Sequence, residues 1–229
     1  MGLSDLFARR RKDTADSDTG ASNAPVHPTK ALPKFLATLN GREQPLLLDL
    51  GPVVGQSLTF FGEQLGCKIF VEDLAKDIDR QAREGKPEDA GAFYAQRFPQ
   101  ETGSIDGILC WDILDFLDKK SGEALAKQLT RILRPDGALL AFFSTTEAPP
   151  GTKPHFTRHV VVDPMNLQYR PYPGHQARQK PLNNRDIQRM FEPLRITEQF
   201  LLKSNIREVL FRKPAEPAVA PPAAPAAEG

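Results

Sequence analysis

Cysteine is scarce in this chain, and uninterrupted apolar runs are short. The 229 residues include two cysteines, Cys67 and Cys110, and each lies in an apolar run typical of a strand. We therefore expect two reduced core residues, and the sequence excludes a disulfide-stabilised scaffold. No apolar run approaches the roughly 20 residues that a membrane-spanning helix needs. The sequence therefore predicts a chain without a membrane span.

An excess of charge of either sign is also missing. Lysine and arginine number 30 against 29 aspartates and glutamates, so the formal net charge is +1. This balance argues against nucleic acid and against a membrane surface as partners. Without a secretory leader at its start, the chain is expected to be cytoplasmic.

Signatures of several common chemistries are absent. The glycines form neither a dinucleotide-binding fingerprint nor a P-loop, and no serine-hydrolase elbow is present. His155 and His159 are four residues apart, but no cysteine or carboxylate completes a set of metal ligands. We therefore expect no metal site.

The composition indicates one folded domain with polar ends. Residues 1–30 show almost no apolar periodicity, and residues 214–229 are rich in proline and alanine. Both segments are predicted to be disordered. The 40% hydrophobic content is sufficient for one core. We expect that core within residues 31–213.

Strands and helices alternate through most of this domain. The apolar runs LLLDL, CKIFV, IDGILCW and ALLAFF predict buried strands, and helical periodicity lies between them. This alternation predicts an α/β fold, a doubly wound and mostly parallel sheet with helices on both faces. AGAFYAQRF is assigned as a weak third strand. RHVVV and LQYR are short strand-like runs, and residues 195–213 predict an antiparallel hairpin.

Four motifs occur in a characteristic order: LLLDLGPVVG, the acidic pair Glu72-Asp73, GSIDGILCWDILDFL and RILRPDGALL. In this order they resemble the class I S-adenosylmethionine-dependent methyltransferases, and the resemblance covers residues 46–213. It implies a Rossmann-like sheet, S-adenosylmethionine as cofactor and methyl transfer to an acceptor that the sequence does not identify. The sequence does not specify the oligomeric state either.

The resemblance places the cofactor at the ends of the first two strands. It assigns Asp49, Gly51 and Gly55 to the cofactor-binding loop, and Glu72 to the ribose. A carboxylate that ends a parallel strand can accept hydrogen bonds from both ribose hydroxyls. Asp73 is the alternative by one residue of register, and an acid that caps the following helix is the alternative to a ribose contact.

The fourth strand ends in Cys110, Trp111 and Asp112, and the resemblance implies that these positions line the cofactor and the acceptor. Trp111 is predicted either to contact the cofactor or to close the core. Asp112 is a weak candidate for a catalytic base, and capping of the next segment is the alternative. Residues 154–180 combine histidines, tyrosines and arginines, which could hold an anionic or aromatic substrate, or form a solvated lid.

One departure from the family pattern motivates a second hypothesis. Val53 occupies the middle of the loop, where the family has a glycine, and the predicted third strand carries no acid. A β-branched side chain would crowd a ligand and cannot readily adopt positive φ. The alternative function is therefore a non-catalytic binding or regulatory module that has lost cofactor binding.

Overall fold

The computed structural model describes residues 24–84 and 89–215 of the chain. Nine strands occur in this part: β1 (Val26–Pro28), β2 (Leu46–Asp49), β3 (Lys68–Val71), β4 (Ile105–Trp111), β5 (Leu133–Ser144), β6 (His155–Asp163), β7 (Asn166–Pro173), β8 (Arg195–Leu201) and β9 (Ile206–Arg212). Six of them form the central sheet in the order β3-β2-β4-β5-β9-β8. The first four are parallel, and β8 and β9 form the antiparallel hairpin at one edge.

Helices cover both faces of this sheet. They are α1 (Ala31–Leu39), α2 (Gly55–Thr59, continued by a π turn over Phe60–Gln64), α3 (Leu74–Glu84), α4 (Ala90–Arg97), α5 (Lys119–Ile132) and α6 (Asn184–Met190). Neighbouring strand residues such as Leu47 and Leu48 belong to two different apolar clusters, because successive side chains point to opposite faces. One cluster contains α1 and the π turn, and the other contains α3 to α6. The predicted doubly wound α/β sheet is confirmed.

The prediction of a third strand at AGAFYAQRF is wrong. Residues 90–97 form α4, which Asp89 caps by accepting hydrogen bonds from the backbone N–H groups of Gly91 and Ala92. Tyr94 and Phe98 are one helical turn apart and stack with ring centroids 6.3 Å apart. The strand β3 is therefore the edge of the sheet on this side.

A second sheet, in the order β1-β7-β6, adds to the domain. The runs RHVVV and LQYR lie in β6 and β7, which pair as an antiparallel hairpin longer than either run. β1 belongs to the segment that we expected to be disordered up to residue 30, so that boundary is corrected: Thr29 is only 1% exposed. The rest of the expected disordered ends, residues 1–23 and 216–229, lies outside the described residues.

The C-terminal hairpin is confirmed, with a turn that Asn205 enters at φ 59°. Among the helices of residues 24–84 and 89–215, none combines the length and apolar character needed to cross a membrane.

Candidate functional site

Three of the residues assigned from sequence meet at the carboxyl edge of the parallel strands. Asp49 is the last residue of β2 and lies in register with Val71 of β3 and Leu109 of β4. Glu72 follows β3 directly, and Trp111 ends β4. Open parallel sheets bind ligands at this edge. The fold therefore places Asp49, Glu72 and Trp111 where a ligand site is expected.

The Asp49 carboxylate is oriented by two hydrogen bonds to one oxygen. Its Oδ1 accepts from the backbone N–H of Gly51 at 2.9 Å and from the indole Nε1–H of Trp111 at 2.7 Å. Burial raises the pKa of Asp49 from 3.8 to about 6, although both hydrogen bonds favour the charged form. One carboxylate thereby joins β2, the loop that follows it and the end of β4.

Trp111 has a conformation that large residues rarely adopt. Its φ is 50°, in the left-handed region, and its indole stacks on the His159 ring of β6 with centroids 4.9 Å apart. Such a backbone persists only where its surroundings hold it in place, and it occurs often at functional sites. Trp111 both closes the core, at 2% exposure, and connects the loop to the second sheet.

In the loop after β2, the surroundings of Gly51, Gly55 and Val53 differ. A Cβ added at Gly51 would lie 3.0 Å from the Trp111 indole, so a side chain there would crowd the buried ring, whereas a Cβ at Gly55 would meet nothing within 4 Å. Val53 is 54% exposed and is not among the residues with positive φ. The backbone strain that we expected from Val53 does not arise, because the loop does not require positive φ at that position.

The two acids that follow β3 have different partners. Glu72 forms an ion pair with Arg97 of α4, and Arg97 also contacts Asp77 at 3.1 Å. Asp73 accepts a hydrogen bond from the backbone N–H of Lys76 at 3.4 Å, as a residue that caps α3 does. The side chains of Glu72 and Asp73 are 16% and 13% exposed, and the charge of Asp73 acts on the carboxyl group of Asp49.

Cys110 lies in the core, in the apolar cluster on the opposite face of β4 from Leu109 and Trp111. It is fully buried within the cluster that contains α3 to α6, and this burial raises the pKa of its thiol well above the ordinary value. The structure does not bring Cys110 together with Asp49 and Trp111 through any hydrogen bond.

Asp112 belongs to a buried polar group beside the loop. Arg178 donates from Nη2 to Asp112 Oδ2 at 3.0 Å, and the Nδ1 of His159 lies 3.8 Å from Asp112 Oδ1. Asp115 accepts a hydrogen bond from the backbone N–H of Ser144 at 2.8 Å. Burial, and then the charge of Asp112, raise the pKa of Asp115 from 3.8 to about 7. Burial lowers the pKa of His159, which favours the neutral ring.

Sequence reasoning missed Asp115, His159, Tyr169 and Arg178 as members of one group. These side chains line a cavity of about 160 Å³ together with Asp112. The available signals were the spacing of the two acids in WDILD and the concentration of histidine, tyrosine and arginine after the fifth strand. Neither signal reveals that the second sheet lies against the end of β4.

Part of the chain is similar to a known protein family. Residues 48–141 match the family described as "Methyltransferase domain". No curated protein matches the chain.

Several solved structures are similar. The Burkholderia thailandensis 1,6-didemethyltoxoflavin-N1-methyltransferase is 15% identical, with 92% of this chain and 86% of that chain covered and a TM-score of 0.47. The glycopeptide N-methyltransferase MtfA is 14% identical, with 80% and 92% covered and a TM-score of 0.43. The [4+2]-cyclase SpnF is 13% identical, with 81% and 80% covered and a TM-score of 0.49.

The family match begins at Leu48, one residue before Asp49, and ends within β5. It thus contains the glycine loop, the acidic pair and the end of β4. Residues 48–141 are thus similar to the methyltransferase domain family, and they span the parallel part of the central sheet, from β2 to β5, in the order β3-β2-β4-β5.

Proposed function

We propose that the protein is an S-adenosylmethionine-dependent methyltransferase. The observation that supports it most is the convergence of Asp49, Gly51 and Glu72 at the carboxyl edge of the parallel strands, within the segment that matches the family. The acceptor, which no comparison identifies, would approach from the side of Asp112.

The residues at this edge fit the cofactor. Both hydrogen bonds to Asp49 use Oδ1, and the Arg97 contact to Glu72 uses Oε2. A nucleoside brings two ribose hydroxyls, and an amino-acid end brings an ammonium group; all of these are donors that carboxylates accept. Gly51 and Gly55 carry no side chain that would keep a ligand away from the loop backbone at these two positions. Glu72 would hold the ribose, and Asp49 would orient the loop and the amino end.

When bound, S-adenosylmethionine supplies a methyl group already activated on a sulfonium. The chain's task is then to hold and align the acceptor and, where the acceptor loses a proton, to take that proton. Asp115, with its pKa raised to about 7, is the described group best suited to that second task.

A second candidate function is a non-catalytic module without cofactor binding. It is favoured by the internal contacts of the two acids: Asp49 is bonded to Trp111, and Glu72 is paired with Arg97. If these contacts are stronger than those a nucleoside could offer, the two acids stay paired within the chain and the cofactor does not bind.

Calorimetric titration with S-adenosylmethionine and S-adenosylhomocysteine tests the proposal. We expect micromolar dissociation constants, and affinity at least about tenfold weaker in Asp49→Ala and Glu72→Ala, because each substitution removes a charge-assisted hydrogen bond. Glu63→Ala removes an exposed carboxylate from the π turn and should bind as the wild type does. Val53→Gly should also change the affinity less than about twofold, because Val53 is exposed.

The outcomes separate the two functions. No heat of binding at millimolar ligand, with the protein folded by circular dichroism, would reject the enzyme in favour of the non-catalytic module. Binding that is unchanged in both Asp49→Ala and Glu72→Ala would reject the assigned site.

A further inference from the structure

Both apolar and polar side chains line the cavity beside Asp112. Phe142, Phe143 and Ile206 contribute apolar surface, and the polar groups of Asp115 and Arg178 lie among them. Its volume is about 160 Å³. A cavity of roughly 150 Å³ holds one benzene molecule, so this one has room for a single six-membered ring with a small substituent.

Two hydrogen-bonding groups at this cavity have no partner within the described chain. The hydroxyl of Tyr169 and the Nε–H of Arg178 are buried, and neither makes a hydrogen bond. A buried donor left unpaired costs about 1–3 kcal/mol, and most such groups in native proteins are satisfied. Both residues line the cavity. An oxygen or nitrogen acceptor on a bound molecule would satisfy both groups.

The charged groups around the cavity disfavour a ligand that carries a net charge. The Asp112 carboxylate is paired with Arg178 at 3.0 Å, so these two charges compensate each other. Asp115 is the remaining acid, and the charge of Arg207 acts on it. The neutral form of His159 adds no charge. An anionic ligand would face both carboxyl groups, whereas an ammonium group would face Arg178 and leave the two unpaired donors without an acceptor.

A neutral hydroxyl meets all of these requirements. Its oxygen can accept from Arg178 and Tyr169, and its O–H can donate to the carboxylate of Asp115. Asp115 is held in place for this by the backbone N–H of Ser144. The rings of Phe142 and Tyr169 suit a flat apolar body.

We propose that this cavity binds a small monocyclic aromatic hydroxyl compound, with Arg178 and Tyr169 donating to its oxygen and Asp115 accepting its hydrogen bond. That this compound is the methyl acceptor rests on the proposed function, because the cavity adjoins Trp111 through the stacked His159 ring. The binding of the hydroxyl compound does not depend on the cofactor.

A second cavity indicates where substituents of the ring would extend. It has a volume of about 210 Å³ and shares Ser144, Arg178 and Ile206 with the first. Its outer lining includes Thr146 and Pro149, in an exposed segment after β5. An aromatic hydroxyl compound with one chain on its ring therefore fits better than a fused ring system.

Fluorine NMR titration of the full chain with 4-fluorophenol and 4-fluorotoluene tests the inference. We expect a dissociation constant below about 1 mM for 4-fluorophenol and at least about tenfold weaker binding of 4-fluorotoluene, because a site built for a hydroxyl rejects the analogue that lacks it. Tyr169→Phe and Asp115→Asn should each weaken 4-fluorophenol binding about fivefold or more.

Tyr172→Phe is the matched control. It removes a phenolic hydroxyl three residues along β7, where Tyr172 pairs with Phe156 and faces away from Tyr169, so the affinity should change less than about twofold. Equal affinity for the two probes, or equal effects of Tyr169→Phe and Tyr172→Phe, would overturn the inference. Binding of 4-fluorophenol without binding of S-adenosylmethionine would reject the proposed function alone, and the reverse result would reject this inference alone.

Discussion

At the scale of single residues, the site depends on a buried carboxylate at the end of β2. Asp49 is 8% exposed, and the hydrogen bonds from Gly51 and Trp111 favour its charged form. These hydrogen bonds do not fully offset the cost of burial, and the nearby charge of Asp73 adds to that cost. The protein therefore maintains a destabilising group at the point where a ligand is expected, a cost often found at functional sites.

Asp49→Asn should make the protein more stable at pH 8. The pKa of Asp49 is raised in the folded state from 3.8 to about 6, so its contribution to stability is complete below about pH 4 and is lost as the pH rises through 6. Asparagine keeps the Oδ1 acceptor and avoids burying a charge. We expect a gain of about 2–3 kcal/mol in unfolding free energy at pH 8.

Urea unfolding at pH 4 and at pH 8 measures this difference. At pH 4 both proteins carry a neutral side chain at position 49 for most of the time, so their stabilities should agree within about 0.5 kcal/mol. A gain of the same size at both pH values would show that the ionisation of Asp49 is not its cause.

Sequence reasoning locates some of these residues and not others, for a physical reason. Asp49 and Glu72 follow apolar strands directly, so the end of a run of buried residues reveals them. Arg178 is 66 residues from Asp112, and no local period connects them. Their contact depends on where β6 and β7 lie, and that is decided by packing between distant elements.

At the scale of elements, helix α1 is anchored by a strand far along the chain. Glu208 of β9 is fully buried, and its Oε2 accepts hydrogen bonds from the backbone N–H groups of Lys30 and Ala31, each at 2.8 Å. No side chain at position 30 caps the helix. The carboxylate of Glu208 therefore adds to the local cap from Thr29, whose Oγ1 accepts from the backbone N–H of Leu32 at 3.3 Å, and its negative charge suits a helix N-terminus.

Glu208→Ala should lower the unfolding free energy by about 2–4 kcal/mol, because it leaves two helix N–H groups without a partner. Glu198→Ala is the matched control: Glu198 lies on the neighbouring strand and meets Lys34 of the same helix only at 4.0 Å, with a side chain that is 36% exposed. Its removal should cost less than about 1 kcal/mol. Chemical denaturation of both variants provides the comparison, and similar losses would mean that the cap contributes little.

The elements that sequence predicts well are those with a strong period. The apolar runs predicted β2, β4 and β5, and the alternation after residue 194 predicted the hairpin of β8 and β9. In α4 only Ala90 and Tyr94 are buried, and the Tyr94 ring stacks on Phe98. Two buried positions make a weak and short helical period. Tertiary packing of Tyr94 then decided between helix and strand.

At the scale of the whole molecule, the second sheet joins the N-terminal end of the described chain to β7, beside the functional site. Val26 pairs with Gln168, and His27 stacks on Tyr169 with ring centroids 4.7 Å apart. The side-chain amide of Gln168 donates to the carbonyl of Ala24 at 3.0 Å. A segment that resembles a tail in sequence thus supports Tyr169, one of the two unpaired groups at the cavity.

Shortening the chain from its N-terminus tests this support. Compared with a chain that begins at Ala24, one that begins at Pro28 loses most of the pairing between β1 and β7, together with the stacked ring of His27. We expect a loss of about 1–2 kcal/mol, from one hydrogen bond and one aromatic pair, and a midpoint of thermal unfolding lower by about 2–8 °C. The affinity for 4-fluorophenol should also fall, because Tyr169 is then held less firmly. A chain that begins at Pro28 with unchanged thermal midpoint and unchanged affinity would show that β6 and β7 position Tyr169 without the help of β1.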